Sequence, residues 1–278
     1  MANMRIDAHQ HYWKISRNDY DWITPDLPEL YRDFLVEDLR IHLSKHKIDK
    51  TIVVQAAPTI NETEFILDLS THSDSIAGVV GWIDIEDSAY KQQLDKFRKH
   101  PKFVGIRIMI QEMPDESKIL EPNYLEAFTY FEKLGIPVDI LVKSNQLPVI
   151  VKLLNQVAIR GVIDHIGKPN IAKGELEPWK LHMSEIAKHP NIYCKLSGMV
   201  TEAHHYNWQI ENFVPYIHHV LEVFGTNRVM YGSDWPVCLL SASYDDVYQL
   251  LKETLPSDIN AEEEARIFGT NAAEFYFL

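Results

Sequence analysis

Short runs of apolar and β-branched residues alternate along the chain with longer stretches in which apolar positions recur every three or four residues. Eight such runs stand out: 4–9 (MRIDAH), 50–56 (KTIVVQA), 78–83 (GVVGWI), 103–108 (FVGIRI), 137–142 (PVDILV), 161–166 (GVIDHI), 191–196 (NIYCKL) and 228–233 (RVMYGS). Several are apolar at consecutive positions, as strands of a parallel sheet covered on both faces must be. The segments between them, among them DFLVEDLRIHLSKH, YLEAFTYFEKLG and NQLPVIVKLLNQ, carry helical periodicity, and the terminal AEEEARIFGTNAAEFYF reads as a closing helix. This alternation runs from one end to the other without a shift in composition that would mark a linker. It predicts an α/β fold, a single (β/α)8 TIM barrel occupying 1–278 as one domain. The rival arrangement, an open doubly wound sheet, would carry a glycine-rich dinucleotide fingerprint after its first strand, and none is present.

Composition narrows the function classes. At 278 residues, 46% hydrophobic and 24% charged, the chain has ample material for one large core. A net charge of -13 and a pI near 5.4 give a surface that repels phosphate backbones and anionic lipid, so neither nucleic acid nor membrane is an expected partner. The two cysteines, Cys194 and Cys238, have no spacing typical of a disulfide framework or a zinc knuckle, which fits a reducing cytoplasm. Near the N-terminus Asp7 and His9 interrupt any apolar core that a signal peptide would need, and no later run is long enough to span a bilayer. The acidic runs DIEDS and AEEEA read as solvated faces and helix starts.

Position then gives the polar residues meaning. In a barrel, residues at the C-terminal strand ends face the mouth where such folds place their chemistry. The first run ends in DAHQH, and His9 and His11, two apart on an extended segment, project to the same side. The sixth run supplies His165 and the segment after the eighth supplies Asp234. Any one of these has a bland reading. His-x-His in a chain with 13 histidines can be a surface pair, His165 a core histidine, and Asp234 a helix cap before Pro236. Together they form a mononuclear metal set, zinc being the candidate, or a metal-free set that polarises a carbonyl and activates water.

The same residues carry a resemblance. His9-x-His11, His165 in IDHIGKP and Asp234 in MYGSDWP look like the amidohydrolase superfamily. More narrowly, IDAHQHYW, FVGIR…Q, DHIGKP, KLSG and GSDWP resemble its lactonase group, the hydrolases of L-fuconolactone, L-rhamnonolactone, sulfomuconolactone and pyrone dicarboxylate, over residues 5–236. Where binuclear members of the superfamily place a bridging lysine or glutamate on strand four, this chain has Arg107 and Gln111, and strand five lacks the histidine of many metal-dependent members. The resemblance therefore implies one divalent metal at His9, His11, His165 and Asp234, weakly held or dispensable, and a small-molecule lactone as substrate.

Lactone opening needs an activated water, a stabilised oxyanion and a proton for the leaving alkoxide. Asp234 is the expected base, with His165 and the other imidazoles polarising the carbonyl. Arg107 and Lys195 are expected to meet an anionic group, although Arg107 equally suits a salt bridge inside the barrel. Trp13 and Trp235, with Trp22 and Trp82, offer flat rings for a sugar-derived ring, and Gln111 a hydrogen bond to a ring hydroxyl. Cys238 lacks a partner base and reads as an inert thiol. Two other readings stay open at this stage: a zinc-dependent decarboxylase of the same superfamily, and a non-catalytic barrel that binds a ligand. A homo-oligomer is compatible with either.

Overall fold

The computed structural model describes residues 4–278. The first three positions of the expected 1–278 domain, and of the segment judged unlike a signal peptide, lie outside the described residues. All eight apolar runs are strands: β1 Ile6–Gln10, β2 Lys50–Val54, β3 Ile76–Gly81, β4 Phe103–Met109, β5 Val138–Leu141, β6 Gly161–Ile163, β7 Ile192–Leu196 and β8 Val229–Tyr231. They pair in sequence order, each parallel to the next. The seam between β8 and β1 is joined just past the end of β8. There the Asp234 amide donates to the His9 carbonyl at 2.8 Å and the His11 amide to the Trp235 carbonyl at 2.7 Å. The ring is thereby closed beside the residues singled out above.

Helices α1 Val36–His46, α2 Ile60–Thr71, α3 Tyr90–Phe97, α4 Pro122–Leu134, α5 Leu147–Leu154, α6 Trp179–Ala187, α7 Val214–Phe224 and α8 Tyr244–Thr254 return the chain between strands and follow the last one. Their ends obey local chemistry. The Thr59 hydroxyl caps α2, Pro148 stands in the first turn of α5, and Gly135 takes a left-handed φ of 66° where α4 stops. No helix among the described residues is long and apolar enough to cross a membrane.

Two apolar layers result. Strand residues facing outward pack with the helices in one large cluster. A second cluster joins Ile6, Ile52, Val80, Val162 and Met230 with Ala272, Phe275 and Tyr276. Side chains from strands around the ring can meet only inside the barrel, so this cluster is its interior. The expected closing helix is interrupted. Helix α9 Ala261–Ala265 runs into a π-turn at Arg266–Thr270 and then α10 Asn271–Tyr276, which contributes to the interior cluster. Gly269, in the turn, lies so close to the start of β1 that a Cβ there would sit 1.9 Å from the Met4 carbonyl oxygen.

Candidate active site

His9 lies within β1 and His11 one residue beyond it, so both leave the strand at its C-terminal end. Strands β6 and β8 stop after three residues each. The chain then enters left-handed backbone, with φ of 53° at His165 and 56° at Asp234. Such conformations are unfavourable for residues with a Cβ and concentrate at functional sites. Gly198, after β7, makes room for the His165 turn: a Cβ there would lie 2.4 Å from His165 Nδ1.

The four residues converge on one atom. Asp234 Oδ1 is 3.3 Å from His11 Nε2, 3.7 Å from His9 Nε2 and 3.9 Å from His165 Nε2. The far ring nitrogens are tethered: His11 Nδ1 to the Val54 carbonyl at 2.7 Å and His165 Nδ1 to Ser197 Oγ at 2.9 Å. Beneath them lies a buried charge cluster. Arg107 Nε donates to Asp164 Oδ2 at 2.8 Å, and Lys195 Nζ lies 3.2 Å from Asp164 Oδ1 and 3.1 Å from His9 Nδ1. Lys195 also donates to Asp139, which accepts the Tyr276 hydroxyl of α10 at 2.8 Å.

Electrostatics sorts these groups into charge states. Burial, and then the Lys195 ammonium, push His9 well below the usual imidazole range. Burial takes His165 down to about 4 against the pull of Asp234 and Asp164. For Asp234 burial acts upward, but His165, His11 and His9 outweigh it and hold the carboxyl below the usual range. At neutral pH the centre is an ionised carboxylate among imidazoles, at least two of them neutral.

The donor set fits a divalent metal. His9 Nε2 is buried and has no hydrogen-bond partner. Ligand atoms of His9, His11 and Asp234, and those of His9, Asp164 and His165, lie within 4.8 Å of one another. Nitrogen and oxygen ligands whose far ring atoms are already oriented are what such an ion requires.

A cavity of about 440 Å³ opens above this centre, walled by His11, Arg107, Gln111, His165, Asp234 and Trp22. Arg107 and Gln111 thus line the cavity, and Arg107 is also bound into the cluster, with Nη1 donating to the Gln55 carbonyl at 3.2 Å. The structure thus shows the salt bridge inside the barrel that one reading of Arg107 expected, with the residue also at the cavity wall. Four expected contact residues are elsewhere. Trp13 is sealed off, its Nε1 donating to the Arg32 carbonyl at 2.9 Å and its ring packed on Phe34. Trp235 packs edge-on against Phe34 and Tyr12. Lys195 is wholly buried, its ammonium turned to Asp139, Asp164 and His9 rather than to the cavity. Trp82 lines a neighbouring cavity of about 430 Å³ instead. Sequence reasoning passed over Asp164, Asp139, Ser197 and Lys168. Asp164 was within reach, as the residue before His165 at a strand end, whereas nothing local marks Asp139.

The sequence profile of the family described as Amidohydrolase matches residues 6–278. The chain belongs to the amidohydrolase family. This amidohydrolase is 37% identical to an L-fucono-1,5-lactonase of Burkholderia ambifaria, covering 98% of this chain and 95% of that one. It is 33% identical to an L-fucono-1,5-lactonase of Burkholderia multivorans, over 100% and 97%. Among solved structures, a Burkholderia multivorans amidohydrolase with bound zinc superposes with a TM-score of 0.93 at 33% identity, over 99% of both chains. The amidohydrolase therefore shares its whole length with lactone-opening enzymes.

Proposed function

We propose that the protein hydrolyses the ring ester of sugar-acid lactones, with L-fucono- and L-rhamnonolactone-like compounds as the first candidates. The observation that carries the reading is the Asp234 carboxylate, ringed by three histidines at the floor of an open cavity in a chain similar along its length to L-fucono-1,5-lactonases. Asp234 takes a proton from water as that water adds to the ring carbonyl. His11 and His165, on the cavity wall, face the oxygen on which negative charge develops. The tetrahedral intermediate collapses with cleavage of the ring C–O bond, and the proton held by Asp234 passes to the departing alkoxide. A hydroxy acid leaves. His9, His11, His165 and Asp234 would hold a divalent metal, zinc by donor type, and such an ion supplies Lewis-acid polarisation of the carbonyl.

The wall favours a neutral polyol over a dicarboxylate. Its two cations are already engaged, Arg107 with Asp164 at 2.8 Å and Lys168 with Glu202 at 3.2 Å. Gln111 donates to Glu112 at 2.8 Å and accepts from Lys168 at 3.2 Å, Asp21 lines the same wall as an acceptor for hydroxyl groups, and Trp22, 39% exposed, offers a ring face. A pH-indicator screen of aldonolactones tests the assignment. Wild type opens at least one of them, and Asp234→Asn lowers kcat/KM by about a hundredfold or more. A screen with no hit, or a fully active variant, rejects it.

A further inference from the structure

Lys195 is the one lysine with no solvent exposure among the described residues. Its ammonium lies 3.1 Å from His9 Nδ1, and in that geometry the two are hydrogen-bonded. An ammonium only donates, so His9 Nδ1 is the acceptor and the ring proton of the neutral imidazole belongs on Nε2. A proton on Nδ1 would confront the Lys195 donors directly. Two further buried atoms of the cluster matter: His9 Nε2, which has no hydrogen-bond partner, and Asp164 Oδ1, which faces the Lys195 ammonium at 3.2 Å. The second of these is 3.3 Å from His9 Nδ1.

These two atoms are linked through one proton. Coordination of a metal by Nε2 requires that nitrogen's lone pair, hence a proton on Nδ1. Moving the proton from Nε2 to Nδ1 would give Asp164 Oδ1 a donor at 3.3 Å beside the Lys195 ammonium and free Nε2, at the cost of the hydrogen bond from Lys195 to His9. We propose that Lys195 is a positioning residue that holds His9 in the Nε2–H form and so opposes metal coordination, while Asp164 accepts the proton of the alternative form. The metal-free site then keeps a neutral N–H donor beside Asp234, 3.7 Å from its Oδ1. A preorganised neutral donor of this kind can stabilise an oxyanion without a cation. Only this last consequence rests on the reading of the site as a lactonase; the tautomer and the metal affinity are measured without turnover.

The test uses full-length, metal-free protein with nitrogen-labelled histidine. Long-range proton–nitrogen NMR, with the His9 signal assigned through His9→Gln, shows the Nε2–H pattern, which converts to the Nδ1–H pattern on titration with zinc. Competition against a chromophoric chelator shows Lys195→Met binding zinc about tenfold tighter than wild type or more, the scale on which groups behind a ligand act. Lys195→Met/Asp139→Asn keeps the buried charge balanced and serves where the single variant does not fold. An Nδ1–H pattern in metal-free wild type, or zinc affinity unchanged or weaker in a folded variant, overturns the proposal. If neither variant folds, the wild-type tautomer decides alone.

Discussion

The short segment after β7 shows how much one residue can set for another. Ser197 fixes the His165 ring through a 2.9 Å hydrogen bond, and Gly198, at φ 58°, leaves the space that ring fills. Removing the hydroxyl frees the ring to rotate while leaving the strand intact. Ser197→Ala should therefore lower zinc affinity or kcat/KM about tenfold with a thermal midpoint within about 2 °C of wild type. Parallel calorimetry and lactone kinetics check this, and unchanged kinetics would remove Ser197 from the site. KLSG was visible in the sequence, but its purpose was not. The reason for a serine and then a glycine lies in a histidine 32 positions earlier. Trp13 and Trp235 make the opposite point. Their positions near strand ends were legible, but the side to which each ring turns depends on Phe34, which packs against both.

At the level of elements, every strand was legible, because a barrel strand covered on both faces must be apolar at neighbouring positions. Their lengths were not. The runs at 161–166 and 228–233 continue past Ile163 and Tyr231 in composition, yet the chain leaves the sheet there so that His165 and Asp234 can project from turns. The interrupted closing helix was equally hidden, since nothing in the periodicity marks the π-turn in which Gly269 approaches Met4. Helix packing supplies a pH-dependent term. Asp245, in the first turn of α8, accepts from Lys45 at 2.5 Å and His46 at 2.6 Å at the end of α1. Those hydrogen bonds, Lys45 first, hold its carboxyl at about 2 against an ordinary 3.8. A depressed carboxyl stabilises the fold above its unfolded value, and that stabilisation is lost as pH falls from about 3.8 through about 2. Asp245→Asn should cost about 0.5–1 kcal/mol at pH 6, less in high salt, with the difference from wild type shrinking as pH falls toward 2. Urea unfolding at the two pH values reads it, and a pH-independent difference would refute the ion-pair account.

For the molecule as a whole, the fold class and the four central residues followed from strand count and position, and the structure adds the axis that connects them to the far end. Tyr276 of α10 donates to Asp139 of β5, Asp139 accepts from Lys195 of β7, and Lys195 reaches His9 of β1. Asp139 escaped sequence analysis because its meaning exists only once four separated elements share the barrel interior. Tyr276→Phe removes a buried donor from both oxygens of Asp139. It should lower stability by about 1–2 kcal/mol, and it should also change kcat or zinc affinity, a result that a purely structural role for α10 does not give. Denaturant unfolding with kinetics on the same preparation separates the two. The axis also bears on how the protein is made. A ribosome that has released all eight strands but not residue 276 holds a barrel whose floor lacks its last support. The charge cluster beneath His9 is thus completed only once residue 276 has emerged.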